Sequence, residues 1–158
     1  MDNDHAKKGE RPSCAAIIVA AGHGARMGGA IPKQFMHLRG KPVIAHSLMA
    51  FAEDTRFQAL VVVCNAEWAG FVREIAANHA IDVMTVNGGA TRRASVAEGL
   101  KALHLATAYE PDYVFIHDAA RPGLTQETLD ILVAALNAAD AAIPVLPVVD
   151  SMAMAQNG

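Results

Sequence analysis

Cys14-Ala15-Ala16-Ile17-Ile18-Val19-Ala20-Ala21-Gly22-His23-Gly24-Ala25-Arg26-Met27-Gly28-Gly29, continuing to Pro32-Lys33-Gln34, is the stretch from which the fold can be read. A short apolar run, residues 14–20, stops abruptly at glycines 22, 24, 28 and 29 with two cations among them, the pattern of a buried strand ending in a loop. The same unit recurs downstream. Apolar runs at 59–64, 82–86, 113–117 and 141–149 read as further strands. Between them, helical spacing aligns Ile44, Leu48 and Phe51 within 43–53, and Trp68, Phe71, Val72 and Ile75 within 67–77. It also aligns Val96, Leu100 and Leu103 within 92–105, and Leu129, Leu132, Val133 and Leu136 within 126–138, with Thr125 as N-cap. Strands alternating with one-faced helices predict an α/β fold: a mostly parallel sheet with helices packed on it.

The bulk numbers set the limits. A chain of 158 residues fits one domain with a full core, and 53% hydrophobic against 18% charged residues excludes disorder for most of it. A formal charge of -3 provides no basic field for a nucleic acid, so an anionic ligand must be met by a local cluster. No apolar run reaches the roughly 20 residues of a membrane span. Two cysteines, Cys14 and Cys64, cannot build a disulfide framework or a four-thiolate zinc site, and both read as core fillers in a reducing cytoplasm. Residues 1–12 are expected to be a disordered tail and 13–158 a single domain. After the expected strand at 141–149 no element finishes the pattern, so the domain reads as cut short.

In an open parallel sheet, ligands bind beyond the carboxyl ends of the strands, which directs attention to the residues following each one. After the first, the glycines bring several N–H groups toward one anion, and Arg26 and Lys33 add full charges, a combination suited to a polyphosphate. The dinucleotide fingerprint fails at Met27, where it requires glycine, and no Gly-Lys-Ser/Thr completes a Walker A loop. After the third strand, Asn87-Gly88-Gly89-Ala90-Thr91-Arg92-Arg93-Ala94-Ser95 offers bare backbone and a hydroxyl that could read the edge of a base. After the fourth, His117-Asp118-Ala119-Ala120-Arg121-Pro122 offers a carboxylate for Mg2+ or a sugar hydroxyl and a cation for a second anion. The bland alternative is that Asp118 and Arg121 pair and merely fix the loop. His117 reads as an interior hydrogen-bonded residue, and no histidines share metal-ligand spacing.

Together the segments Ala20-Ala21-Gly22-x-Gly24-x-x-Met27 with Pro32-Lys33-Gln34, Gly88-Gly89-x-x-Arg92-x-x-Ser95-Val96-x-x-Gly99-Leu100, and His117-Asp118-Ala119-Ala120-Arg121-Pro122 resemble the 2-C-methyl-D-erythritol 4-phosphate cytidylyltransferases of the non-mevalonate isoprenoid pathway. The resemblance implies a three-layer, Rossmann-like nucleotidyltransferase fold lacking its C-terminal part. It implies cytidylyl transfer from CTP to the polyol phosphate with Mg2+ as cofactor, and a homodimer in the full-length protein. Arg26 and Lys33 are then the catalytic cations. Ala20, Ala21, Gly22, Gly24, Gly88, Gly89, Ala90, Ser95 and Ala119 bind the nucleotide, and Asp118, Arg121 and Ser151 the acceptor, with Asp118 also at the metal. Two departures stand out: Ala90 replaces a frequent acidic residue, and Asp150-Ser151-Met152-Ala153 keeps a hydroxyl but lacks the lysine of Asp-Thr-x-Lys. The family continues past residue 158 with a dimer-forming arm and a second triphosphate lysine. The competing expectations are a ribitol-5-phosphate cytidylyltransferase and a non-catalytic CTP-binding fragment.

Overall fold

The computed structural model describes residues 11–22, 31–106 and 110–147. Most of the expected tail, Gly24, Arg26, Met27, Gly28, Gly29 and the segment Asp150 to Ala153 with Ser151 lie outside the described residues. The elements in chain order are β1 (Cys14–Val19), a 3-10 turn (Lys33–Phe35), β2 (His37–Leu38), β3 (Lys41–Pro42), α1 (Val43–Ala52), β4 (Phe57–Cys64), α2 (Ala66–Asn78), β5 (Met84–Asn87), α3 (Arg92–Ala106), β6 (Tyr113–Asp118) and α4 (Gln126–Leu136). The chain separates into two compact units, Met1–Gln126 and Glu127–Gly158. Strands β1 to β6 and helices α1 to α3 belong to the first.

The main sheet has the order β5-β4-β1-β6 and every pairing in it is parallel. The chain moves outward from β1 through β4 to β5 and then returns to the other side of β1 as β6. The switch point therefore lies between β1 and β6, the position where doubly wound sheets open a crevice. The β2–β3 hairpin, with Arg39 (φ 51°) and Gly40 (φ 82°) at its tip, is an insertion that periodicity did not reveal, because its two-residue strands are too short to show alternation.

Alternation along β1 places helices on both faces. Ile17 pairs with Val61 and Ile116, and its face carries the buried cluster Ala15, Ile17, Val61, Val63 and Leu103 under α3. Ile18 pairs with Val62 and His117 on the opposite face, where Phe51 of α1 lies edge-on to His117 with ring centroids 5.6 Å apart. Ile17, Ile18, Val61, Val62 and Val63 are fully buried, each contributing about 1.5–3 kcal/mol of transfer free energy.

Helix α3 approaches this sheet closely because Gly99 has no side chain. A β-carbon there would lie 2.6 Å from Cγ2 of Ile17 and 3.0 Å from Cγ2 of Val63. Both neighbours are branches of stiff side chains and cannot swing away. Gly99→Val is therefore expected to destabilise the fold by about 1–3 kcal/mol despite valine's better helix propensity, read as a lower urea midpoint at unchanged slope.

In the second unit α4 buries Leu129 and Val133, as its spacing requires. The strand expected at 141–149 is a correction: residues 141–147 form no regular element, and Ile143, Val145 and Leu146 are 79%, 77% and 90% exposed. An apolar run becomes a strand only when its backbone groups find a neighbour, and here Pro144 and Pro147 each remove a donor.

Candidate functional site

The loops singled out from the sequence meet at one end of the sheet. The strand ends are level: Val19 pairs with Val63 on one side and Asp118 on the other, and Cys64 pairs with Asn87. Just beyond, Ala20 N–H donates to Val63 O (2.7 Å), Gly88 N–H to Cys64 O (3.1 Å) and Ala119 N–H to Val19 O (3.0 Å), so Ala20, Gly88 and Ala119 form one more level of the same ladder. Three interstrand gaps of about 4.8 Å make the front edge roughly 14 Å wide.

The first and second loops touch directly. A β-carbon on Gly88 would lie 2.3 Å from Cβ of Ala21 and 3.1 Å from Oγ of Ser95. Glycine is the side chain that lets the loop after β5 rest on the end of β1. Ser95 is 2% exposed; its hydroxyl accepts from Gly89 N–H (3.1 Å) and donates to Gly89 O (3.4 Å). It shapes the Gly88–Gly89 backbone, leaving the exposed Gly89 and Ala90 as that loop's outer surface. On the other side of Ala21 stands the 3-10 turn, where Lys33 is exposed while Gln34 and Phe35 are buried. Phe35 stacks on Trp68 (4.5 Å between centroids) and lies edge-on to Phe71 (5.9 Å), anchoring the turn to α2.

The third loop is organised by charge. Oδ1 of Asp118 accepts from Arg92 Nε at 2.9 Å, and Oδ2 pairs with Arg121 Nε at 3.1 Å. Asp118 and Arg121 thus do pair, as the bland alternative held, but Arg92 from the start of α3 joins them and links the second loop to the third. The Asp118 side chain is 30% exposed, Arg92 60% and Arg121 79%, so these are surface pairs worth under about 1 kcal/mol each and open to exchange for a ligand. His117 lies within 3.1 Å of both Ser47 Oγ and Arg121 O. Since a carbonyl can only accept, Nε2 carries the hydrogen, and burial holds the ring below the ordinary imidazole range, so it is neutral near pH 7. It is the interior residue expected from the sequence, and it ties down the Arg121 backbone. Among the described residues no group of three His, Cys, Asp or Glu could hold a metal.

The family model of 2-C-methyl-D-erythritol 4-phosphate cytidylyltransferase matches residues 14–158. The chain belongs to this cytidylyltransferase family. Among similar proteins, a bifunctional enzyme IspD/IspF of Rhizorhabdus wittichii is 43% identical over 143 residues, covering 90% of this chain and 36% of that protein. A 2-C-methyl-D-erythritol 4-phosphate cytidylyltransferase of Xanthomonas campestris pv. campestris is 45% identical over 120 residues, covering 74% of this chain and 43% of that one. A crystal structure of a 4-diphosphocytidyl-2C-methyl-D-erythritol synthase superposes with a TM-score of 0.74 at 31% identity, covering 94% of this chain and 66% of that chain. The bifunctional IspDF from Campylobacter jejuni gives 0.71 at 26%, covering 90% and 35%. The chain thus spans about 36% to 43% of the length of these two curated relatives.

Within this family member, the structure gathers Ala20, Ala21, Gly22, Lys33, Gly88, Gly89, Ala90, Asp118, Ala119 and Arg121 at the carboxyl ends of the strands or on the turn beside them, with Ser95 in the first turn of α3 bonded to Gly89. Gly24, Arg26 and Ser151 lie outside the described residues. The role of Arg92, a motif residue in the sequence, emerges only from this geometry. Its signal was present: an arginine at the first position of a helix, where the dipole disfavours a cation, asks for a nearby carboxylate.

Proposed function

We propose that this chain is the nucleotide-binding part of an enzyme that transfers the cytidylyl group of CTP to 2-C-methyl-D-erythritol 4-phosphate and releases pyrophosphate. The observation that carries the reading is Gly88 seated on Ala21, beside the turn that bears Lys33, in a chain of this family. A bare-backbone loop suited to a base and a glycine-rich loop suited to phosphates meet with only the Ala21 methyl between them.

The acceptor's phosphate is already an anionic nucleophile. One of its oxygens bonds to the α-phosphorus while the bond to the β-phosphate breaks, and pyrophosphate leaves, so neither general base nor covalent intermediate is needed. Lys33 and Arg26 neutralise charge on the α-phosphate and leaving group. Ala20, Ala21, Gly22 and Gly24 line the triphosphate, and the backbone of Gly88, Gly89 and Ala90, held by Ser95, faces the cytosine. The Ala119 N–H is committed to Val19, so a ribose contact falls to its carbonyl. Arg121 and Ser151 serve the acceptor. Mg2+ suits this donor set, because it is held through one or two carboxylates plus phosphate oxygens, and Asp118 can release an oxygen from exposed arginines. When bound, the ion offsets the charge of the triphosphate. A homodimer follows from the family resemblance, and a cytoplasmic setting suits two free, buried thiols, of which Cys14 is pushed by burial up to about 11.

The test is pyrophosphate release from CTP by the full-length protein. Release is expected only with methylerythritol phosphate present. Equal release with ribitol 5-phosphate would overturn the acceptor, and CTP binding without release under either condition would leave a binding protein.

A further inference from the structure

We propose that Gln34 is a positioning residue for the triphosphate loop, its side-chain amide clamping the loop's entrance to the turn that carries Lys33. The inference rests on the cytidylyltransferase reading of that loop. Gln34 is 3% exposed, and Nε2 donates to Ala20 O at 2.6 Å and to Gly22 O at 2.9 Å. Both partners are carbonyls, which accept only, so the orientation of the amide is decided by chemistry, and both hydrogens of the NH2 group are used.

The location explains why an amide is needed. The sheet ladder reaches Ala20, whose N–H is bonded to Val63, and then the chain leaves the sheet. Beyond that level Gln34 substitutes for a strand, meeting two successive outward carbonyls on one side. In a trans peptide the N–H lies opposite the C=O, so fixing Ala20 O aims the Ala21 N–H away from Gln34, and the two clamped carbonyl dipoles, which repel anions, are held on the Gln34 side. The clamp spans 12 and 14 residues of sequence and joins the two ends of the segment that separates Gly22 from Lys33. Its other end is rigid, because Phe35 is 2% exposed and stacked on Trp68. The path from α2 through Phe35 and Gln34 to Ala20 and Gly22 fixes the Lys33 turn and the Ala20–Gly22 backbone relative to each other, which two groups acting on one triphosphate require. A glutamine buried only to fill space would not need two carbonyls aligned on its nitrogen.

Two substitutions and one direct measurement test this in the full-length protein. Gln34→Met keeps shape and removes the donors; the KM for CTP should rise at least about tenfold and kcat should fall, with the KM for methylerythritol phosphate within about twofold. Gln34→Glu should be worse at neutral pH, where a carboxylate cannot donate, and should regain part of its CTP affinity as pH falls and the acid recovers one O–H donor. A space-filling role would instead lower the unfolding temperature and change both KM values alike, with no recovery in acid. The direct measurement is hydrogen exchange of the Gln34 Nε2 protons by NMR in the unsubstituted protein, which should be markedly slower than for a solvent-exposed glutamine. Exchange as fast as an exposed glutamine, or a folded Gln34→Met protein with unchanged KM for CTP, overturns the inference. An unsubstituted protein that neither binds nor turns over CTP overturns the cytidylyltransferase reading, and this inference with it.

Discussion

Lys33→Ala is expected to lower kcat/KM for CTP by about 10²- to 10³-fold while leaving the unfolding temperature within a degree or two. The two halves of that expectation have different sources. The Lys33 side chain is exposed at the head of a 3-10 turn whose stability comes from its neighbours Gln34 and Phe35, so truncating it removes little packing. What it removes is a full positive charge beside the loop proposed to hold the triphosphate, where charge would develop on the α-phosphate and departing pyrophosphate. A charge-assisted contact that tightens in the transition state is worth on the order of 3 kcal/mol, against a few tenths for an average surface residue. The loss should fall mainly on kcat, and Lys33→Arg should recover part of it. Single-turnover and steady-state rates at saturating CTP would check both, and equal kcat in the alanine variant would leave Lys33 a solvated surface residue.

The second large effect is expected at Gly88. Gly88→Val should raise the KM for CTP by about ten- to a hundredfold and cost about 1–3 kcal/mol of stability. Its β-carbon would stand 2.3 Å from Cβ of Ala21, where carbon atoms rest at about 3.5–4.0 Å. Ala21 Cβ is fixed to the backbone at the end of β1, so neither loop can yield without moving its strand end. The displacement of more than about 1 Å falls together on the surface proposed to read cytosine and on Ala21, the start of the loop proposed to hold the triphosphate. The Ala21 side chain is the source of the clash, so Ala21→Gly in a Gly88→Ala background should restore part of the affinity. Calorimetric titration with CTP and urea unfolding separate the two losses. An unaltered KM would show that the base does not lie against this loop.

Much of this was legible in the sequence, for physical reasons that differ by element. Helix α1 could be read because Ile44, Leu48 and Phe51 recur at the helical period, and β1 because its run is short, β-branched and cut by glycine. The spacing of 141–149 misled because apolarity announces burial without supplying a pairing partner, and the two prolines were the contrary signal. Gln34 and Arg92 were visible as letters in motifs but not as actors, because hydrogen-bond partners 12 to 26 residues away are not encoded in local periodicity.

What the sequence by itself determined is the alternation of strand and helix, the glycine-rich end of β1, and the residue types that suit a triphosphate, since these depend on side-chain chemistry and short-range sterics. Only the tertiary structure decided that Gly88 rests on Ala21, that Asp118 stands between Arg92 and Arg121, and that Gln34 donates to the carbonyls of Ala20 and Gly22. Those contacts exist because the order β5-β4-β1-β6 brings strand ends far apart in sequence to one edge, where backbone groups must find partners that no local pattern names.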